Sequence, residues 1–424
     1  MREMKASGFE WIGQDPTNWK LKKGKYLFKQ HNNRGNLKCL QLLSPSQKFG
    51  VIPQTLLEEL TTQNVVKVSE KANLNDFKTV HVGDFCISLR SFQGGFEYSH
   101  YEGVVSPAYQ IFSAIGDNLC DGYYRYLFKD KSFIDKMNSY TMTLRDGKNI
   151  AFDDFGNTYI PVPPKSEQEK IANFLDSKCS EIDATSADIQ KEIEILEQYK
   201  RSLVFEAISK GINGEKTANA SSDIWKEIPQ SWKLVDIKYL FEIVKRIAGR
   251  EGYNILSVTQ KGLKVKDISG NQGQIAENYS GYQFVFPSDY VMNHMDLLTG
   301  WIDCSDQFGV TSPDYRVFRL RDKTQNDTEY YKYVMQCCYM CRIFYSLGQG
   351  VSTLGRWRLQ TSAFMNFKVP VPPLREQKEI ARYLNDKCKE IELSIEQKRK
   401  QLELLSAYKK SLIYEYVTGK KEVI

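Results

Sequence analysis

The chain is poor in the residues and spacings on which catalysis usually rests. It has no GxxxxGK[ST] phosphate loop, and its glycine clusters, FQGGF (92–96) and GQGVSTLG (348–355), lack the lysine. No GxGxxG follows a strand-like run, which removes the dinucleotide-binding fingerprint. There is no HExxH and no paired C-x-x-C. The Asn/Asp-Pro-Pro-aromatic tetrapeptide of adenine amino-methyltransferases is also missing, and PVPP has no side chain to hold an amino group. The four histidines (His31, His81, His100, His294) show no paired spacing, so no metal site is expected. Nine cysteines are an odd number; the densest group, QCCYMC with Cys337, Cys338 and Cys341, reads as small buried thiols in a reducing compartment. Asp153 and Asp154 in AFDDFGN read as a surface loop rather than as metal ligands. No run approaches the roughly 20 apolar residues that span a bilayer, and MREMKASGFEWIG lacks the apolar stretch of a signal peptide. A soluble cytoplasmic protein without membrane contact is expected.

What is present is size and repetition. At 424 residues, with 41% hydrophobic and 12% aromatic content, the chain exceeds a single growing core. A net charge of +6 permits nucleic-acid binding without requiring it. Residues 161–206 align with 370–415 without a gap, and 21 of 46 positions are identical. WKLKKGKYLF (19–28) echoes WKLVDIKYLF (232–241), and SPAYQIF (106–112) echoes SPDYRVF (312–318). Two long repeats suggest a pseudo-dimer in one chain, not a solenoid, which needs three or more short ones.

Each half reads as a mixed α/β globular part followed by a long helix. DFCISL (84–89), YQFVFP (282–287) and YRVFRL (315–320) have strand character, and YYKYVMQCCYMCRIFY (330–345) reads as helical. The P-x-P-P runs at 161–164 and 370–373 should be stiff extended exits that neither continue a helix nor sit inside a sheet. Ser166 has the capping-box spacing to Glu169; Arg375 replaces it in the second copy, so a different cap is expected there. Beyond the prolines a heptad sets in. Leu175, Ile182, Ile189, Leu196 and Leu203 fall seven apart, and Leu384, Ile391, Leu405 and Leu412 repeat the register, with Lys398 where the first copy has Ile189. Helices of about 60–65 Å follow from the rise per residue. Each helix needs a partner for its seam, and the other copy is nearest. The expected fold class is therefore α+β: two mixed α/β domains joined by two long helices packed as an antiparallel coiled coil with a pseudo-twofold repeat. The alternative is that each helix belongs only to the core of its own domain.

The two globular parts share a plan and differ in most residues, while the helices keep their sequence. That division suits two readers of different targets, as on a bipartite DNA site. It also suits an adaptor whose domains grip proteins along a rod, or a self-contained nuclease or transferase with an unrecognised site.

The I-P-x-x-W stretch (IPQSW, 228–232, with DPTNW, 15–19, as a looser copy), the two P-x-P-P-x-x-E-Q exits, the heptad helices and the duplicated order resemble the specificity subunit of type I restriction–modification enzymes over essentially the whole chain. The resemblance implies target-recognition domains at 1–160 and 215–369, with helical spacers at 161–214 and 370–424. It implies a non-catalytic chain without a cofactor of its own, binding an asymmetric split sequence in double-stranded DNA. Its partners would be two methyltransferase (modification) subunits and two restriction (translocase/endonuclease) subunits. Candidate DNA contacts are Arg90, Gln93, Arg145 and Lys148 in the first domain and Arg250, Lys261, Lys264, Arg356 and Arg358 in the second, because phosphates want cations and base edges favour Arg or Gln. Each also reads as an ordinary solvated residue. The basic runs YKRS (199–202) and QKRK (397–400) fit rod solvation or partner contact better than base reading.

Overall fold

A computed structural model describes residues 2–35, 40–61, 73, 75–87, 95–140, 150–220, 222–266, 278–350 and 357–423. The chain divides into two compact units, one of residues 1–189 with 400–424 and one of residues 190–399. Each unit thus holds one globular part, the beginning of one long helix and the end of the other.

In the first unit a four-stranded antiparallel sheet runs in the order Phe28–His31, Gln110–Ala114, Phe85–Ile87, Phe96–Tyr98. The second unit repeats it as Phe241–Val244, Arg316–Leu320, Tyr290–Met292, Ile302–Cys304. Aromatic residues fill both cores. Phe28 meets Phe85, Phe112, Tyr124 and Phe128 edge-on, and Phe241 meets Tyr290, Phe318 and Tyr331 in the same way. Strand Phe85–Ile87 is buried on both faces, so its alternation marks packing and not a wet side.

The proline exits are extended, as their fixed φ requires, and they do enter sheets. Tyr159–Val162 pairs with Lys20–Lys23, and Lys368–Val371 pairs with Lys233–Asp236. Each ladder has only two strands, so half of its N–H positions face no partner, and Pro161 and Pro370 fit there. The helices open directly after the last proline of each run, at Lys165–Lys210 (the central helix) and Leu374–Val417 (the C-terminal helix). Ser166 is therefore already inside the first turn and is not the cap. Both copies start the same way, with Gln168 N and Gln377 N donating to the carbonyls of Pro164 and Pro373. AFDDFGN is helical over Phe152–Asn157, so Asp153 and Asp154 sit in its first turn instead of a loop.

The heptad stripe is the seam. In the first unit Ile171, Leu175 and Ile182 of the central helix share a core with Leu405, Leu412 and Val417 of the C-terminal helix. In the second, Leu203, Val204 and Ile208 pack with Ile380 and Leu384. Ion pairs give the direction. Lys409 meets Asp183 in the first unit; Lys398 meets Glu192 and Lys200 meets Glu392 in the second. In the second unit one number rises as the other falls, and in the first the Phe174–Tyr416 ring contact and the Asp183–Lys409 pair run the same way, so the segments are antiparallel within each unit. Lys398, which interrupts the stripe, is half-buried and delivers its ammonium to Glu192.

Candidate nucleic-acid interface

The residues that hold each globular part to the helices come from the two motifs read in the sequence. Trp19 and Trp232 are buried, and a buried indole N–H needs an acceptor. Trp19 Nε1 donates to Glu167 Oε2 at 3.0 Å, and Trp232 Nε1 donates to Glu376 Oε2 at 2.8 Å. The next residue completes the joint. The Gln168 amide donates to the Pro163 carbonyl at 2.8 Å and accepts from Cys120 N at 2.8 Å. Gln377 donates to Pro372 at 2.9 Å and accepts from Asp327 N at 2.8 Å. Both glutamines are fully buried. The P-x-P-P-x-x-E-Q motif is thus a latch: the prolines deliver the strand, the glutamate takes the tryptophan, and the glutamine ties the helix start to the helix of the globular part.

The end of the other helix closes each latch. Gly419, at φ +73°, lies so close to Pro16 that an added Cβ would stand 2.5 Å from its Cγ. Gly211, also at φ +73°, lies against Trp232 and Glu376 in the second unit. Both positions favour glycine on backbone grounds as well. The tryptophan–glutamate pairing went unforeseen, because its partners are 148 and 144 residues apart in sequence.

Of the candidate DNA contacts, Arg90, Gln93, Arg145, Lys148 and Arg356 lie outside the described residues. The other four are exposed and make no ion pair with a described residue. Arg250 follows the first strand of the second sheet, and its Nε donates to Tyr253 Oη at 2.7 Å. Lys261 is in the turn of the hairpin Leu256–Thr259/Gly262–Val265, and Lys264 is on its second strand opposite Ser257. Arg358 bridges Gln349 across the base of another loop. It stands near His294, whose pKa is pushed down to about 4 by burial and then by Arg316 and Arg358. That imidazole is neutral at physiological pH, and the charge beside it is carried by the buried Arg316 and the exposed Arg358. Arg316 is spent inside the domain, donating to Leu359 O at 3.0 Å. No distance gathers the four candidates into one patch.

YKRS and QKRK are structural in part: Lys200, Lys398 and Arg399 pair with Glu392, Glu192 and Glu197. Among the described residues no group of three or more His, Cys, Asp or Glu could hold a metal, and no helix is long and apolar enough to cross a membrane. Most described cysteines are buried or half-buried, but Cys341 is exposed, which departs from the expectation of uniformly buried thiols.

Residues 19–195 and 229–404 each match the model of the type I restriction modification DNA specificity domain. The chain is 27% identical over 288 residues to the type I restriction enzyme MjaVIII specificity subunit of Methanocaldococcus jannaschii, covering 63% of each chain. It is 23% identical over 259 residues to the EcoBI specificity subunit of Escherichia coli, covering 55% of this chain and 52% of that one. The matches thus span between half and about three-fifths of the length of such relatives. A chain solved in work on complex assembly and conformational transition of the type I R-M system superposes with a TM-score of 0.66 at 13% identity, covering 95% of this chain and 98% of that one, a likeness of fold. With both repeats matched, the chain belongs to the family of type I restriction–modification DNA specificity proteins.

Proposed function

We propose that this chain is the DNA-specificity subunit of a type I restriction–modification complex. Residues 1–160 and 215–369 would be target-recognition domains, each reading one half of an asymmetric split sequence, and the helical spacers 161–214 and 370–424 would set the distance between the halves. The chain itself would carry no catalytic step and no cofactor. Methyl transfer to adenine and ATP-driven restriction would belong to two modification and two restriction subunits. The observation that carries this reading is the duplicated latch: the same Trp, Glu and Gln hold two globular parts whose other residues have diverged. Duplicated docking faces add support. Ile195 and Tyr199 on the central helix are 55% and 54% exposed, and the same repeat positions on the C-terminal helix, Leu404 and Tyr408, are 62% and 55% exposed. Apolar residues kept in the open at repeated positions suit two copies of one partner.

The test is methylome sequencing of cells carrying the modification subunit with and without this chain. A split adenine-methylated motif that requires the chain supports the reading. An assembled complex that leaves the genome unmethylated favours an adaptor instead.

A further inference from the structure

The second domain carries a surface that has no counterpart among the described residues of the first. Tyr253, Phe284, Phe286 and Phe308 form one ring cluster, with Phe284–Phe308 centroids 5.6 Å apart, Phe286–Phe308 5.2 Å and Tyr253–Phe284 5.0 Å. Phe286 and Phe308 are 41% and 42% exposed. Two guanidiniums lie on the rings: Arg246 is 4.7 Å from the Phe286 centroid and Arg250 is 5.4 Å from that of Tyr253.

This face is held in place. The Asp289 carboxylate pairs with Arg246 and accepts from Phe286 N at 2.8 Å. The turn from Phe286 to Asp289 contains Ser288 at φ +69°, a left-handed conformation costly to a non-glycine residue. The first domain places Gly83 at the matching turn, at φ +97°.

Strand register shows what stands there in the first domain. Val104 faces Thr79 as Val310 faces Phe284, and the bridges Leu42–Val104 and Ile255–Val310 correspond as well. Tyr253, Phe284, Phe286 and Phe308 therefore occupy the positions of Leu40, Thr79, His81 and Glu102. The frame is the same, and the side chains change from mainly polar to wholly aromatic. A face serving two like protein partners would be kept in both repeats, as Ile195/Tyr199 and Leu404/Tyr408 are. This one is not kept, so it belongs to the task in which the domains differ.

We propose that this ring face is a base-stacking element of the second domain: Phe286 and Phe308 enter duplex DNA at a base-pair step of the second half-site, and Arg250 takes an adjoining phosphate. Aromatic wedges of this kind unstack a step and read its deformability as well as its bases. The inference rests on the specificity reading above.

The test uses the complete complex with modification subunits. The double variant Phe286→Ala/Phe308→Ala should keep the first half-site in the methylome, relax the second, and bind cognate duplex about ten- to a hundredfold more weakly. Arg250→Ala should weaken binding and flatten its salt dependence while leaving the motif unchanged. In the unmutated complex, a fluorescent adenine analogue walked through the second half-site should brighten at a step apart from the methylated adenine, which the modification subunit itself extrudes, a readout independent of how any variant folds. Unchanged motif and affinity in the double variant, no brightening away from the methylated adenine, or loss of a subunit from the variant complex on size exclusion would each overturn the inference. A wild-type complex with no split motif at all would instead overturn the specificity reading beneath it.

Discussion

The two latches are built from the same residues and differ in charge. In the first unit Arg2 pairs with Glu167 and lies 5.1 Å over the Trp19 ring. By strand register the same position in the second unit is Glu215. No cation takes its place there among the described residues: both Glu167 Oε1 and Glu376 Oε1 are buried without a hydrogen-bond partner, but only Glu167 has a guanidinium, that of Arg2, beside it. Burial, and then the Glu215 and Glu379 carboxylates, push the Glu376 carboxyl above its ordinary value, against the pull of the Trp232 N–H. One joint is neutralised and the other is left acidic. The shared hydrogen bonds are therefore enough to make the joint, and charge adjusts its strength.

The largest effects should fall on the shared parts. Gln168→Ala or Gln377→Ala strands a backbone N–H and a proline carbonyl inside the protein, at about 2–4 kcal/mol each, and equal losses in chemical unfolding would show that the latches are equivalent. Next come the closing glycines. Gly419→Ala should cost about 2–3 kcal/mol, because a Cβ there meets the Pro16 ring, while Gly211→Ala should cost about 1 kcal/mol, since its nearest neighbour is the Glu376 carboxylate at 3.0 Å. Thermal unfolding of both variants checks the order.

Smaller effects should separate the latches. Glu215→Arg copies the first joint onto the second and should stabilise it by about 1 kcal/mol at neutral pH. The pH dependence has a definite sign. A carboxyl whose folded pKa is raised favours the neutral form, so its contribution is best in acid and declines as pH rises from the ordinary carboxylate range through the raised value. Glu376→Gln should remove that decline from the second unit, read as unfolding midpoint against pH. Smallest is Lys398→Ile, which restores the heptad stripe and loses one exposed pair with Glu192; a change within about 0.5 kcal/mol is expected.

Much of the fold was legible because it is written in local periodicity. The proline exits, the helix spans and the seam follow from spacing alone. Two local rules misled. Ser166 had the spacing of a cap, but the helix begins one residue earlier, directly on Pro164. The prolines were expected to avoid sheets, and a two-stranded ladder admits them. The latch was legible only as letters, since nothing local ties Trp19 to Glu167. The ring face was not legible at all. Tyr253, Phe284, Phe286 and Phe308 sit on separate strands and turns, and only the shared register collects them. Basic residues in glycine-marked loops gave a list of candidates, but charge alone does not say which of them converge.

The central claim is that the domains read and the helices measure. The most direct test inserts one heptad into each helix, after Ala187 and after Glu396, which occupy the same repeat position. Seven residues add about 10 Å of helix, near 3 base pairs of duplex DNA. The methylome of the variant complex should show both half-sites unchanged and the gap between them longer by about that number of base pairs. Altered half-sites, or an unchanged gap, would contradict the account.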